Sequence, residues 1–314
     1  MFYIPHEKGE RKKYLYMNTL RFSGHESFQV RNLWLKKGYD FVVRPKQGEG
    51  NFNNELAVID LGVGKNMVSS IRFWMKAFEL LDEESDEPTD LANYLFGLEG
   101  RDPFLEDRGT LWLLHYKLVK ASKASIYHLV FNRFRKQRIE FQKSHLNNFL
   151  TSECDRLDEK HSPNTIDKDV GVFLKNYVAP EPGQNRDYIE DQYASLLIDL
   201  QLVKRIKSQE VGEEEWYKIE SSDRELLPIE IFLYVILDNE AYGNSVSLHK
   251  LMNEDNGPGN IFALTPDALV EKIHEVTRRF EGIVYKDDAG IRELQFNKDF
   301  NKEAILDQYY GRNN

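Results

Sequence analysis

A chain of 314 residues, 41% hydrophobic and 12% aromatic, is too long for one small core and has ample apolar content for two or three domains. A net charge of −10 and a mean hydropathy of −0.58 suit a soluble globular protein, and no apolar run approaches the ~18 residues of a membrane span. The N-terminal MFYIPHEKGERKK has no apolar secretion core, and the single cysteine, Cys154, excludes an internal disulfide or a cysteine-based zinc cluster, so a cytoplasmic setting is expected.

The net charge hides a segregation along the chain. Arg11 to Lys46 holds nine basic residues against Glu26 and Asp40. Lys117 to Lys143 holds eight against Glu140 alone, while Glu79 to Asp107 holds eleven acids and only Arg101. Phosphates respond to the local field within roughly 8–10 Å, so a polyanion remains an admissible partner despite the overall negative charge. Solvated helix faces are the plainer explanation of such runs.

In chain order, Glu26 to Val43 reads as a helix with Phe28, Leu33, Trp34 and Leu35 on its apolar side, stopped by Pro45. KQGEGNFNN is a loop by composition. The short helix NELAVIDL, a Gly-Val-Gly turn and a longer helix from about Lys65 to Leu80 make a helix-turn-helix pattern. At 100° per residue, Met67, Val68, Ile71, Trp74, Met75 and Phe78 share one side of the longer helix. Lys65, Ser69, Arg72 and Lys76 form a stripe on the other, with Asn66 and Phe73 at its edge; that face suits a DNA groove. An ordinary amphipathic helix would show the same apolar side.

Further on, Ser144 is a candidate cap for HLNNFLTSEC, and Ser162-Pro163 opens a helix with Ile166, Val170, Phe173 and Tyr177 on one side. A short helix is expected in IEDQYASLLIDL, then a hairpin from LVKRIK and WYKIE. The last third repeats the order: the apolar LPIEIFLYVILDN, the short SLHKLM, a helix opened by Thr265-Pro266, and a hairpin of GIVYK and IRELQF around DDAG. The fold expected is therefore mainly α with small β-hairpins (α+β), built as tandem helix-turn-helix or winged-helix units over residues 1–140, 141–224 and 225–314. Asp167 and Asp169 weaken a DNA-reading role for the second unit, and Glu271, Lys272 and Glu275 leave the third ambiguous.

No P-loop, dinucleotide-binding glycine motif, HExxH or GxSxG is present. His25 and Glu26 are an adjacent histidine–carboxylate pair in a basic, aromatic setting, and RDPFLEDRGTLWLLHYKL adds Asp102, Glu106, Asp107 and His115. Brought together, these groups could form a Mg²⁺-dependent phosphodiesterase site. The competing explanation is structural: Asp102-Pro103 as a turn, Glu106 and Asp107 at a helix start, and His115 packed in a core.

Three stretches carry a resemblance: Phe22-SGHESF-Phe28 with Arg31 and Trp34-LKKG-Gly38; Leu61-GVGKNM-Met67 with Arg72 and Trp74; and Asp102-PFLED-Asp107 with Thr110-LWLLH-His115. With the late segment NGPGNIFALTPDALVEKIHEV, they resemble a bacterial family of unknown function that accompanies DNA phosphorothioation and anti-phage defence loci. That family includes SspB-type proteins, described as DNA-nicking components of single-strand phosphorothioation. The resemblance implies double-stranded DNA as a partner and a phosphoadenosine-phosphosulfate-reductase-like sulfur transferase nearby. It carries no catalytic set that maps onto these residues.

The expected function is thus duplex DNA binding within such a system. Arg21, Arg31, Lys36, Lys37, Lys65, Arg72 and Lys76 are the expected phosphate contacts, with Asn66 and Ser69 available for base edges. A divalent-metal nickase using His25, Glu26, Asp102, Glu106 and Asp107, and a scaffold recruiting sulfur-transfer enzymes, are the alternatives. Homodimerisation is left open.

Overall fold

A computed structural model of the protein describes residues 19–180, 195–206, 215–288 and 290–311. Among these residues the chain is mostly helical, with two small antiparallel sheets of three strands each. Among the described residues no helix is long and apolar enough to cross a membrane.

The first third is a layer of short helices: α1 (Trp34–Val43), α2 (Ala57–Leu61), α3 (Lys65–Ala77) and α4 (Asp90–Phe96). They pack towards α5 (Arg108–Ala121), whose residues Gly109 to Val119 are all buried. A helix buried on every side has no solvent face, and α5 is accordingly the central post of the molecule. Next come α6 (Ser125–Leu129), a π-helical turn (Val130–Phe134) and α7 (Arg135–Gln137).

Strand β1 (Glu140–Gln142) leads into α8 (Lys143–Arg156) and α9 (Pro163–Tyr177), followed by β2 (Lys204–Ile206) and β3 (Trp216–Lys218). The sheet order is β1-β3-β2, with Phe141 opposite Tyr217 and Arg205 opposite the same residue on the other edge. The last third resembles this arrangement, with three helices between its first and second strands and a closing helix. It runs α10 (Ile229–Leu237), β4 (Ser245–Ser247), α11 (Leu248–Asn253), α12 (Pro258–Ile261), α13 (Pro266–Arg279), β5 (Ile283–Asp288), β6 (Ile291–Phe296) and α14 (Lys302–Tyr310). Its sheet order, β4-β6-β5, again pairs the first strand with the last. Buried apolar residues from Leu20 to Tyr310 form a single contiguous core.

Several local expectations hold. Ser162 and Thr265 accept the N–H of Thr165 and Ala268 and cap α9 and α13, each with proline in the first turn. Ile166, Val170, Phe173 and Tyr177 are buried together. The expected helix in IEDQYASLLIDL and the tip of the β2–β3 hairpin lie largely outside the described residues; of the former, Ile198–Leu200 is a single 3₁₀ turn.

Three expectations are corrected. The first helix begins at Trp34 rather than Glu26, because Ser23, Gly24, Glu26 and Ser27 all have positive φ, which no right-handed helix tolerates. Gly24 is required there: a Cβ would lie 2.7 Å from the Phe73 ring. Helix α8 is capped by Gln142, in a reciprocal box with His145, and not by Ser144, because Gln142 also ends β1 and sets the helix start two residues earlier. Helix α3 stops at Ala77, and the chain reverses through Glu79 at φ 56°, with Leu80 N–H returning to the carbonyl of Met75.

Candidate nucleic-acid interface

Helix α2 ends on Gly62 in the left-handed conformation (φ 61°), and Gly64 precedes α3 in extended backbone. A Cβ at either glycine would meet nothing within 4 Å, so this turn faces open space. No side chain caps α3, and Lys65, Asn66 and Ser69 of its first turns are exposed. The helix therefore presents free backbone N–H groups and positive dipole charge alongside the Lys65 ammonium. On the opposite side Val68, Ile71, Trp74 and Met75 are buried, and the Trp74 indole N–H donates to the carbonyl of Phe28 at 3.1 Å.

Beside this turn lies a groove of about 420 Å³ between α1, α2 and the loop that joins them, lined by Lys36, Lys37, Arg44 and Lys46 among others. Lys37 Nζ donates to the carbonyl of Leu61 (3.1 Å), which ties α1 to the end of α2. Lys36 pairs with Asp40 one helical turn on, at 2.5 Å. Arg44 and Lys46 are exposed and form no ion pair among the described residues. Neither was among the phosphate contacts expected from sequence, although both sit in the first basic run. Arg31 lies over the Trp34 ring, 5.3 Å from its centroid, and its backbone bridges to Ser195.

The far half of the basic stripe on α3 is not free. Arg72 holds Asp86 through two nitrogens, Nε at 3.0 Å and the Nη2 atom at 2.7 Å, and also donates to Asn53. Lys76 reaches the same carboxylate at 2.7 Å and the carbonyl of Glu83 at 2.5 Å. Arg21 and Lys123 both pair with the Glu83 side chain. Most of the second basic run is likewise used internally. Lys117 and Lys120 converge on Asp238, Arg133 on Glu153, and Lys143 on Asp167. Arg135 is buried against the carbonyls of Gly259 and Asn260, and burial pushes its pKa down to about 10.

The nuclease candidates are distributed rather than assembled. His25 is buried, and its Nδ1 accepts the N–H of Ser27 at 3.1 Å. That leaves Nε2–H to donate to Asp169 Oδ1 at 3.0 Å, where the Ser23 N–H also donates. The histidine's carboxylate is thus Asp169 of α9, not Glu26, which is exposed at φ 49°. His25 also lies parallel to the Trp74 ring and edge-on to Phe73.

Asp102 is buried and accepts the N–H groups of Glu106 and Asp107, closing the turn before α5. Asp107 caps α5 by accepting from Gly109 and Thr110, and Tyr309 Oη donates to it at 2.7 Å. Glu106 is exposed. His115 is fully buried: Nε2–H donates to the Ile261 carbonyl (2.9 Å) and Nδ1 accepts from Tyr177 (2.7 Å), and burial holds its pKa down at about 3, so it is neutral. Among the described residues no group of three or more His, Cys, Asp and Glu side chains is placed to hold a metal ion.

Two residue sets were missed in the sequence, the His25–Asp169 pair and the Glu83/Asp86 turn. The first was hidden by 144 positions of separation. The second was visible as an acidic stretch, but nothing local shows that it folds back along the helix before it.

Comparison with solved structures places this architecture. The chain is similar to a magnesium ion-bound SspB crystal structure, with a TM-score of 0.79 and 29% identity over 92% of this chain and 88% of that one. A second SspB crystal structure matches with a TM-score of 0.77 and 28% identity over the same shares. Among curated proteins none matches. The model of a family described as "Protein of unknown function (DUF4007)" matches residues 22–310, and the chain belongs to that family.

Proposed function

We propose that the protein is a duplex-DNA-binding component of a phosphorothioation-type modification or defence system. The observation that carries this reading is the open start of α3: an uncapped helix with exposed Lys65, Asn66 and Ser69, next to a groove holding Lys36, Lys37, Arg44 and Lys46. Helix α2, the glycine turn and α3 act as a helix-turn-helix, which reads DNA with the N-terminal residues of its second helix. The phosphate-facing set is accordingly Lys65, Arg44 and Lys46 with Lys37, and Asn66 and Ser69 face the bases, while Lys36 is already paired with Asp40. Arg72, Lys76 and Arg21 contribute less than their charge suggests, because Asp86 and Glu83 already neutralise them.

In both later units helices separate a first strand from a closing pair of strands, two helices in the one and three in the other, and the first strand pairs with the last, as in a winged helix. We assign residues 141–224 and 225–314 to two such units that brace the first. They also offer surfaces to a phosphoadenosine-phosphosulfate-reductase-like sulfur transferase. The likeness to SspB supports the phosphorothioation setting.

The magnesium ion in one of the similar structures favours nicking as a second reading. The residues of this chain do not fit that role as sequence suggested. Both Asp102 oxygens accept backbone N–H groups, Asp107 caps a helix, and His25 is held by Asp169. No catalytic step through a metal is therefore derived for them.

The deciding experiment measures duplex binding against salt for the wild type and a Lys65→Ala/Arg44→Ala double variant. Two lost phosphate contacts lower the slope of log K on log[salt] by about 1.8, at ~0.9 per contact, and weaken binding to unrelated sequences equally. A folded double variant with unchanged affinity and slope removes this face from the interface. Supercoiled plasmid incubated with Mg²⁺ in the same series separates binding from nicking.

A further inference from the structure

The segment Asp82–Glu87, DEESDE, carries five carboxylates in six residues and directly follows the turn that ends α3. Its shape is set from within. Asp82 Oδ1 accepts the N–H groups of Glu84 and Ser85 and the Ser85 hydroxyl, while Leu81 and Pro88 bridge at its base. Asp86 adopts a left-handed backbone (φ 61°), which aspartate tolerates better than most residues, and its side chain is thereby aimed back along α3.

What it meets there has the geometry of a phosphate contact. One Asp86 oxygen takes Arg72 Nε and Lys76 Nζ, at 3.0 and 2.7 Å, and the other takes the second guanidinium nitrogen at 2.7 Å. A forked guanidinium with an added ammonium is how arginine and lysine hold a phosphodiester. Three residues earlier, Glu83 gathers Arg21 and Lys123, cations from two other parts of the chain. The lysine and arginine contacts outweigh partial burial and hold the Glu83 carboxyl below its usual range.

We propose that this acidic turn is a built-in phosphate mimic. It occupies the far cations of α3, and DNA displaces it when the helix enters the groove. The inference rests on the reading of α3 as the DNA-facing helix. Its consequence is a brake: non-specific duplexes meet only the near half of the stripe, whereas a duplex seated deeply enough exchanges the Asp86 and Glu83 carboxylates for its own phosphates. The guanidinium pairs suit such exchange because they are partly accessible, whereas the Lys76 side chain is only 9% exposed. The Arg72 and Asp86 side chains are 31% and 17% exposed, and those of Arg21 and Glu83 are 54% and 52%. Contacts of this kind are worth little net and are screened by salt, so a phosphate can replace them.

The test compares Asp86→Asn, Glu83→Gln and the Lys65→Ala control for duplex binding across a salt series, with thermal melting to confirm folding. Glu83→Gln changes an exposed side chain and keeps the fold even where Asp86→Asn weakens it. Released cations tighten non-specific binding about 2- to 5-fold each and steepen the salt slope by ~0.9 per added phosphate contact. Unchanged or weaker binding by the folded acid-to-amide variants, with Lys65→Ala still impaired, overturns the brake and leaves the DNA-facing helix intact. No effect of Lys65→Ala overturns the reading beneath both.

Discussion

Replacing Asp238 with asparagine tests how the last third of the chain is locked to α5. Asp238 follows α10, with its side chain 3% exposed, and it gathers three ammonium groups: Lys117 at 3.1 Å and Lys120 at 2.7 Å from α5, and Lys302 at 2.5 Å from α14. Tyr116 adds a hydroxyl at 2.8 Å. Burial alone would raise the Asp238 pKa, but Lys117, Lys120 and Lys302 outweigh it and hold the carboxyl well below the usual carboxylate range. Lys117 is the vulnerable partner. It is 8% exposed, lies over the Tyr116 and Tyr234 rings, and among the described residues keeps Glu79 (3.2 Å) as its one carboxylate partner once Asp238 is neutral. Lys120 and Lys302 are 29% and 38% exposed and can turn to water.

Breaking a buried pair by removing one charge costs about 3–5 kcal/mol, a large share of the roughly 5–15 kcal/mol that holds a typical protein together. At about 2 °C per kcal/mol for a chain of this size, Asp238→Asn lowers Tm by roughly 6–10 °C. Lys302→Met costs less than ~1 kcal/mol, since its half-exposed ammonium gains little from the pair. Adding Lys117→Met to Asp238→Asn recovers about 1–3 kcal/mol by removing the stranded cation. Urea denaturation of the four proteins measures all of this. An Asp238→Asn protein within about 1 kcal/mol of wild type, or no recovery in the double variant, refutes the account.

The buried histidines supply two further predictions. His115 is neutral in the fold, with a pKa of about 3 against 6.5 in the unfolded chain, so the unfolded state binds the extra proton. Its contribution to stability is complete above pH ~6.5 and is lost as pH falls from there towards 3, at up to about 1.4 kcal/mol per pH unit. Urea denaturation at pH 7 and pH 5 shows that slope, and His115→Gln flattens it; an equal slope in the variant assigns the effect elsewhere. For His25 and Asp169, each alanine substitution costs about 2–4 kcal/mol, and the double variant falls short of additivity by more than ~1 kcal/mol. Additive losses would mean that the 3.0 Å contact contributes nothing of its own.

The parts of the fold legible in sequence are those that a local rule decides. Ser162-Pro163 and Thr265-Pro266 announce helix starts because a hydroxyl three residues ahead of a free N–H is a sufficient cause. The spacing of Val68, Ile71, Trp74 and Met75 finds the buried side of α3 for the same reason. The reading of Glu26–Leu33 as helix fails where a distant contact takes over. Gly24 presses against Phe73 and His25 reaches Asp169, so the strap is fixed in left-handed turns despite its helical-looking pattern.

Charge is where the sequence says least about the folded surface, and the reason is physical. A basic run describes neighbours along the chain, whereas a surface field depends on what lies across in space. The two basic runs and the acidic stretch between them are plain in the sequence, but which of them meet is not. In the folded chain the acids are spent on the bases: Glu79 on Lys117, Glu83 on Arg21 and Lys123, Asp86 on Arg72 and Lys76. Among the described residues, Arg44 and Lys46 of the first run and Lys65 at the start of α3 are exposed and form no ion pair. An interface for a polyanion is therefore better sought where basic residues remain unpaired after folding than where they are densest in sequence. By that criterion the groove between α1 and α2, continuous with the open turn at Gly62–Gly64, outranks the longer stripe on α3.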